Sequence, residues 1–159
     1  MAFSPFVDDA RFNICESYSI ESPKYYHDQE YTEKAIERYQ EFLDDFPGSK
    51  LNDVAVESIE ILRGKLGKKI YETGILYMKL DEFESAKMTF QLVMDMYYDT
   101  EIIQLAYQGM VEALARNKEI DEAKTLLSEH KNVLVESGLY DDATRTIEKM
   151  QKIILKATN

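Results

Sequence analysis

The chain has 159 residues, 45% of them hydrophobic, with six Gly, three Pro, eleven Tyr and no Trp. That is one domain's length with enough apolar content for a core, which excludes a disordered tail, and so few Gly and Pro argue against a loop-rich or all-β design. The formal charge is −11 and both halves are acidic, which leaves no basic arm or face for nucleic acid and no polybasic membrane patch.

Apolar periodicity predicts helices throughout. The first covers 5–19 and the second 29–46, closed by Pro47. Between them lies an insertion, Glu21-Ser22-Pro23-Lys24-Tyr25-Tyr26-His27-Asp28. The series Ala55, Ile59, Leu62, Leu66, Ile70, Gly74, Tyr77 keeps one helical phase with no proline or turn cluster. It predicts a single long helix over 50–80, in which 50–66 continues into 67–80 and any bend falls near Gly64 and Gly67. Helices over 82–97, 101–117 and 119–135 follow. The last, 139–157, sets Leu139, Ala143, Ile147, Met150 and Ile154 on one stripe, with a polar face opposite as a terminal cap requires. Ser49 and Asp81 are the expected N-caps and Gly138 the expected stop.

The helices carry an internal repeat. Gly74, Tyr77, Phe83, Ala86 and Phe90 place small residues and aromatics at the spacing of a tetratricopeptide hairpin. Small residues belong where two antiparallel helices cross closely, and aromatics fill the gaps beside the crossing. Val111, Leu114, Ile120, Ala123 and Leu127 repeat the pattern at an offset of 37, and Cys15, Tyr18, Ala35, Tyr39 and Phe42 form an earlier copy interrupted by the insertion. Cys15 then reads as a packed core thiol. One hairpin cannot bury its own apolar face, so hairpins stack. The expected fold is all-α: a right-handed superhelical, tetratricopeptide-like solenoid of antiparallel hairpins with about seven helices. It is expected to be one domain over 1–159, with repeats at roughly 5–48, 67–100 and 104–137 and a capping helix at 139–157.

Catalytic and cofactor chemistry has no foothold in the pattern. No phosphate-binding glycine loop, dinucleotide fingerprint or H-E-x-x-H is present. His27 and His130 lie in different hairpins with no second ligand at metal spacing. Asp44-Asp45 and Asp141-Asp142 are adjacent on helices and diverge by about 100°. The expectation is therefore no enzyme, no metal and no cofactor. With one cysteine no internal disulfide forms. Met1–Pro5 has neither a charged leader nor an apolar core; the expectation is a cytosolic protein, or one whose leader lies outside this sequence.

Five stretches carry a further pattern: Asp28-Gln29-x-Tyr31-Thr32 with Ala35-Ile36, Phe42-Leu43-x-x-Phe46-Pro47-x-Ser49, Leu62-Arg63-x-Lys65-Leu66, Tyr77, and Tyr97-x-Asp99-Thr100; of these, Asp28-Gln29-x-Tyr31-Thr32 and Leu62-Arg63-x-Lys65-Leu66 are not generic repeat positions. Together, over about residues 5–115, they resemble the BamD/YfiO family of outer-membrane assembly lipoproteins. Tyr98 stands where that family's pattern has proline, and Cys15 lies inside a repeat rather than at a lipidated N-terminus. The resemblance implies the C-terminal portion of a scaffold at the periplasmic face of the outer membrane. Such a scaffold meets the membrane only through a lipid anchor that this sequence does not contain. It docks on POTRA domains of a barrel-assembly protein through its C-terminal repeats and meets unfolded outer-membrane proteins through its N-terminal ones. The alternative, if Met1 is the native start, is a soluble cytoplasmic tetratricopeptide adaptor for a peptide or partner helix.

Candidate binding residues come from two places. Tyr25, Tyr26 and Tyr31 in and beside the insertion are either packing or a recognition surface. The innermost face of a hairpin array is lined by first helices. Off their packing positions lie Phe12, Glu16 and Ser19, then Lys68, Tyr71, Ile75 and Met78, then Gln108, Glu112 and Arg116. Tyr71, Ile75 and Met78 share one helical face, as core or as anchor for a partner segment. The basic cluster Arg63, Lys65, Lys68 and Lys69 either pairs with Glu60 and Glu72 or serves recognition.

Overall fold

The computed structural model describes residues 6–158. These form eight helices: α1 (Val7–Glu21), α2 (Glu30–Asp45), α3 (Asn52–Lys79), α4 (Phe83–Met96), α5 (Ile102–Arg116), α6 (Ile120–Glu129), α7 (Lys131–Glu136) and α8 (Tyr140–Thr158). No strand occurs among the described residues. The fold is all-α and tetratricopeptide-like. The start of the predicted helix 5–19 lies outside the described residues, and α1 runs two residues past its predicted end. The chain divides into two compact units, one ending at Lys69 and the other beginning at Ile70. The boundary falls inside α3, an uninterrupted helix of 28 residues.

In the first unit α1 and α2 form an antiparallel hairpin. Arg11 near the start of α1 pairs with Asp45 at the end of α2 at 2.9 Å. At the other end, Ser22 meets Thr32 at 2.5 Å. The core joins Phe12, Cys15, Ala35, Tyr39 and Phe42 to Ala55 and Leu62 of α3. Phe12 stands edge-on to both Tyr39 and Phe42, with ring centroids 5.7 and 5.4 Å away. Phe12 is thus core rather than a residue of an open face, because two facing aromatic rings take up its bulk. Cys15 is buried, its thiol donates to the Arg11 carbonyl at 3.4 Å, and burial pushes its pKa up. It is an unreactive packing residue. Ser49 does not cap a helix from residue 50. Its hydroxyl accepts from the Leu51 amide at 3.2 Å and donates to Asp8 at 2.8 Å, and α3 begins only at Asn52.

The second unit turns on Phe90, which has no exposed surface. A Cβ added at Gly74 of α3 would lie 2.6 Å from Phe90 Cε1, and one at Gly109 of α5 would lie 2.7 Å from Phe90 Cζ. The ring therefore occupies space that two glycines leave and lies directly against the backbones of α3 and α5. Ala86 and Ala113, both fully buried, continue the contact.

Three turns in this unit share one hydrogen-bond pattern. At the end of α3 the Glu82 amide donates to the Tyr77 carbonyl at 3.0 Å. After α5 Glu119 donates to Leu114 at 2.9 Å, and after α7 Leu139 donates to Leu134 at 2.8 Å. The residue before each donor is left-handed: Asp81 at φ 58°, Lys118 at 69° and Gly138 at 75°. This is the Schellman closure of a helix C-terminus. Gly138 is the stop its position suggests. Asp81 does not N-cap α4; it is the left-handed residue that closes α3, and Glu82 holds the N-cap position of α4 without a side-chain hydrogen bond.

The expected seven helices become eight among the described residues because the predicted helix 119–135 bends at His130, where φ is −105° and ψ 18°. There the imidazole stacks flat on Tyr107 of α5, with centroids 3.6 Å apart and planes at 11°. The short α7 then places Leu134, fully buried, among Val111, Ala123, Ala143 and Ile147.

Gly109→Ala tests the packing at Phe90. Helix propensity alone would make this change stabilising by about 1 kcal/mol. The close approach predicts the opposite sign, a loss of about 1–3 kcal/mol by denaturant melts. Phe90→Leu should cost less in that background than in the wild type.

Burial lowers the His130 pKa below its ordinary value. The unfolded chain takes up the proton first as pH falls, so stability is lost from the unfolded imidazole's value of about 6.5 down to the lower folded one. Between about pH 7.5 and about pH 5, the urea midpoint of the wild type should fall further than that of His130→Gln.

Candidate functional site

The insertion between α1 and α2 is not a floppy loop. It is held by a directed chain of hydrogen bonds that begins on α3. Lys65 Nζ donates to the Ser22 hydroxyl at 2.7 Å and to the Ser22 carbonyl at 3.4 Å. Ser22 meets the Thr32 hydroxyl at 2.5 Å, and Thr32 donates to Gln29 Oε1 at 2.7 Å. A hydroxyl has one proton, so Ser22 must donate to Thr32. Gln29 Nε2 then donates to the carbonyls of Lys24 at 2.9 Å and His27 at 3.0 Å. Asp28 Oδ1 accepts from the Glu30 amide at 2.8 Å and so serves the first turn of α2. Gln29 and Thr32 are buried, where an unpaired amide or hydroxyl would cost about 1–3 kcal/mol. Burial lowers the Lys65 pKa.

This frame presents the tyrosines. Tyr25 is half-buried and lies under Lys68, whose Nζ is 4.7 Å from the ring centroid. Tyr26 is 58% exposed, edge-on to Tyr25 at 5.4 Å and 4.5 Å from the His27 ring. Tyr31 is 45% exposed, with Tyr18 at 6.4 Å and Lys34 Nζ at 5.6 Å. Lys69 Nζ donates to the His27 carbonyl at 2.9 Å. Three lysines of the basic cluster therefore reach the insertion rather than only their own helix. The result is two groups of partly exposed tyrosine rings, Tyr25 and Tyr26 with Lys68 and Tyr31 with Lys34, suited to stacking and hydrogen bonding with a polypeptide.

The remaining candidates lie in the second unit. Met78 is buried at 4% exposure, and Tyr71 and Ile75 pack half-buried on the same cluster. The Tyr71 ring is 5.6 Å from Phe90, and burial pushes its phenol pKa up. As an open anchor the stripe is corrected: Phe90 and its neighbours cover Met78, leaving a partner only parts of Tyr71 and Ile75. Gln108, Glu112 and Arg116 are half-exposed on α5. Arg116 is engaged locally, with Asp81 at 2.7 Å, Glu112 at 3.9 Å and the Phe83 ring at 4.8 Å. Lys68, expected at the edge of the stripe, sits over Tyr25 instead. Pattern reading missed Lys65, Ser22, Gln29 and Thr32 as the supports of the tyrosine surface. The signal was available in Asp28-Gln29-x-Tyr31-Thr32 and Leu62-Arg63-x-Lys65-Leu66, whose polar residues fit no packing position.

Among the described residues no cluster of His, Cys, Asp and Glu is placed to hold a metal ion, and no helix is long and apolar enough to cross a membrane. A family model described as YfiO, outer membrane lipoprotein, matches residues 6–131. The chain belongs to the YfiO family. No curated protein matches it. The match extends beyond the stretch 5–115 that carries the motifs and takes in the whole of α1 to α6. The two stretches of the YfiO resemblance that are least like generic repeats are those that build one end and the other of the hydrogen-bond chain between Lys65 and Gln29.

Gln29→Ala should leave the Thr32 hydroxyl without its acceptor and take one of two donors from each of two loop carbonyls, Lys24 keeping the His27 amide and His27 keeping Lys69. The expected loss is about 1–3 kcal/mol in denaturant melts. Amide exchange over 22–29 should accelerate more than in the rest of the hairpin.

Proposed function

We propose that this chain is a non-catalytic protein–protein scaffold of outer-membrane β-barrel assembly, working at the periplasmic face of the outer membrane. Its partners are POTRA domains of a barrel-assembly protein and unfolded outer-membrane proteins. The repeat hairpins, roughly 5–48, 67–100 and 104–137, act as one tetratricopeptide domain capped by 139–157. Membership of an outer-membrane lipoprotein family carries this reading. The tyrosine surface supports the choice of substrate: an unfolded barrel strand offers aromatic side chains and unpaired backbone groups, and Tyr26 and Tyr31 with Lys68 complement both.

A photo-crosslinker placed at Tyr26 in the full chain, followed by membrane fractionation, tests the reading. The expected result is recovery with the outer membrane and crosslinks to barrel proteins. Binding of a purified, urea-unfolded barrel protein should weaken about tenfold or more for the pair Tyr26→Ala and Tyr31→Ala, with the melting temperature unchanged. Recovery in the cytosol with crosslinks to soluble proteins would replace this reading with a cytoplasmic adaptor.

A further inference from the structure

A second surface lies in the second unit. α4 and α6 both pack on α5, and they border a groove of about 900 Å³. Its floor is apolar, built by Met88 and Leu92 of α4, Met110 and Leu114 of α5, and Leu126 of α6. Met88 is 75% exposed and Leu92 46%. A spacing of four puts them on one face of α4, and Met96, 54% exposed, extends that face. Neither 88 nor 92 is a packing position of the repeat, so the hairpin itself makes no demand for large apolar side chains there. Methionine suits a surface that must fit a partner, because its unbranched thioether adapts to the shape it meets.

The charge around this floor has one sign. Asp95, Asp121, Glu122 and Glu129 line it, against one ammonium, Lys87. Lys87 is already engaged with Glu84 at 2.9 Å and Glu119 at 2.6 Å. The rim is therefore acidic. From Lys87 to Asp95 the groove follows α4 for about 12 Å at a rise of about 1.5 Å per residue, room for two turns of a second helix.

We propose that this groove docks a basic amphipathic helix of a partner protein. Apolar residues at i, i+3 or i+4, and i+7 of that helix would cover Met88, Leu92 and Leu126. Lysines or arginines flanking them would face Asp95, Asp121, Glu122 and Glu129. An acidic helix, or an apolar one without charge, would not gain from this rim.

The probe is a synthetic helical peptide of leucine on one face and lysine on the other, about 14 residues long. Its counterpart carries glutamate in place of lysine. Binding to the full chain is followed by fluorescence anisotropy at low and high salt. The lysine peptide should bind, lose affinity with salt, and weaken about tenfold for Glu122→Lys with Glu129→Lys, both exposed positions. Met88→Ser should also weaken it, with circular dichroism melts unchanged for each variant. Equal binding of the glutamate peptide, no binding of either, or indifference to the charge reversals overturns the proposal. So does self-association of the chain in sedimentation that disappears when residues 152–159 are removed. That outcome would assign the groove to the last turns of α8 from a second copy, where Lys152 and Lys156 flank the exposed Ile153 and Leu155.

Discussion

Phe90 between Gly74 and Gly109 is the contact on which the second unit rests. A ring that fills the space of two missing side chains lies directly against the backbones of the helices before and after its own. The constraint reaches outward from there. Tyr71 and Met78 are drawn into the same cluster, so a stripe that could have faced a partner is mostly spent on holding the fold. The helices on either side of Phe90, α3 and α5, are closed by Asp81 and Lys118 in left-handed backbone. For a residue other than glycine that conformation costs about 1 kcal/mol or more, which the helix packing has to offset.

The first unit is organised around a polar contact instead. A loop is held in one conformation when its backbone carbonyls find donors within the protein. Gln29 supplies two donors at once, and the chain through Thr32 and Ser22 ends on the Lys65 ammonium, the one group in it that needs no further donor. The tyrosines stand on this frame. Rigid aromatic side chains lose little conformational freedom when they bind, which is why such a surface recognises polypeptide well.

The net charge of −11 is not spread as a uniform solvated coat. In the first unit lysines gather at the insertion, and in the second carboxylates gather beside an apolar floor. Charge distribution of this kind acts on encounter rates as well as on affinity.

Local spacing determined the helices, the close crossings at Ala35 and Ala86, the core place of Cys15 and the single run of α3, because each follows from a period of 3.6 residues or from the size of one side chain. The offset of 37 was legible for the same reason, and it recurs in the turns at Asp81 and Lys118. Other features were decided only in three dimensions. Gly109 gave no signal, since a glycine inside a helix looks like a weak helix former until the ring it admits is known. The bend at His130 falls where its ring stacks on Tyr107, 23 residues earlier, and nothing nearby breaks the helical phase. The seating of Tyr25 under Lys68 and of Ser22 against Lys65 joins residues 43 apart. Sequence pattern records which face a residue takes on its own helix. Which residues of distant segments meet is set by how helices pack, and in this protein that meeting is what turns two short polar motifs into a surface.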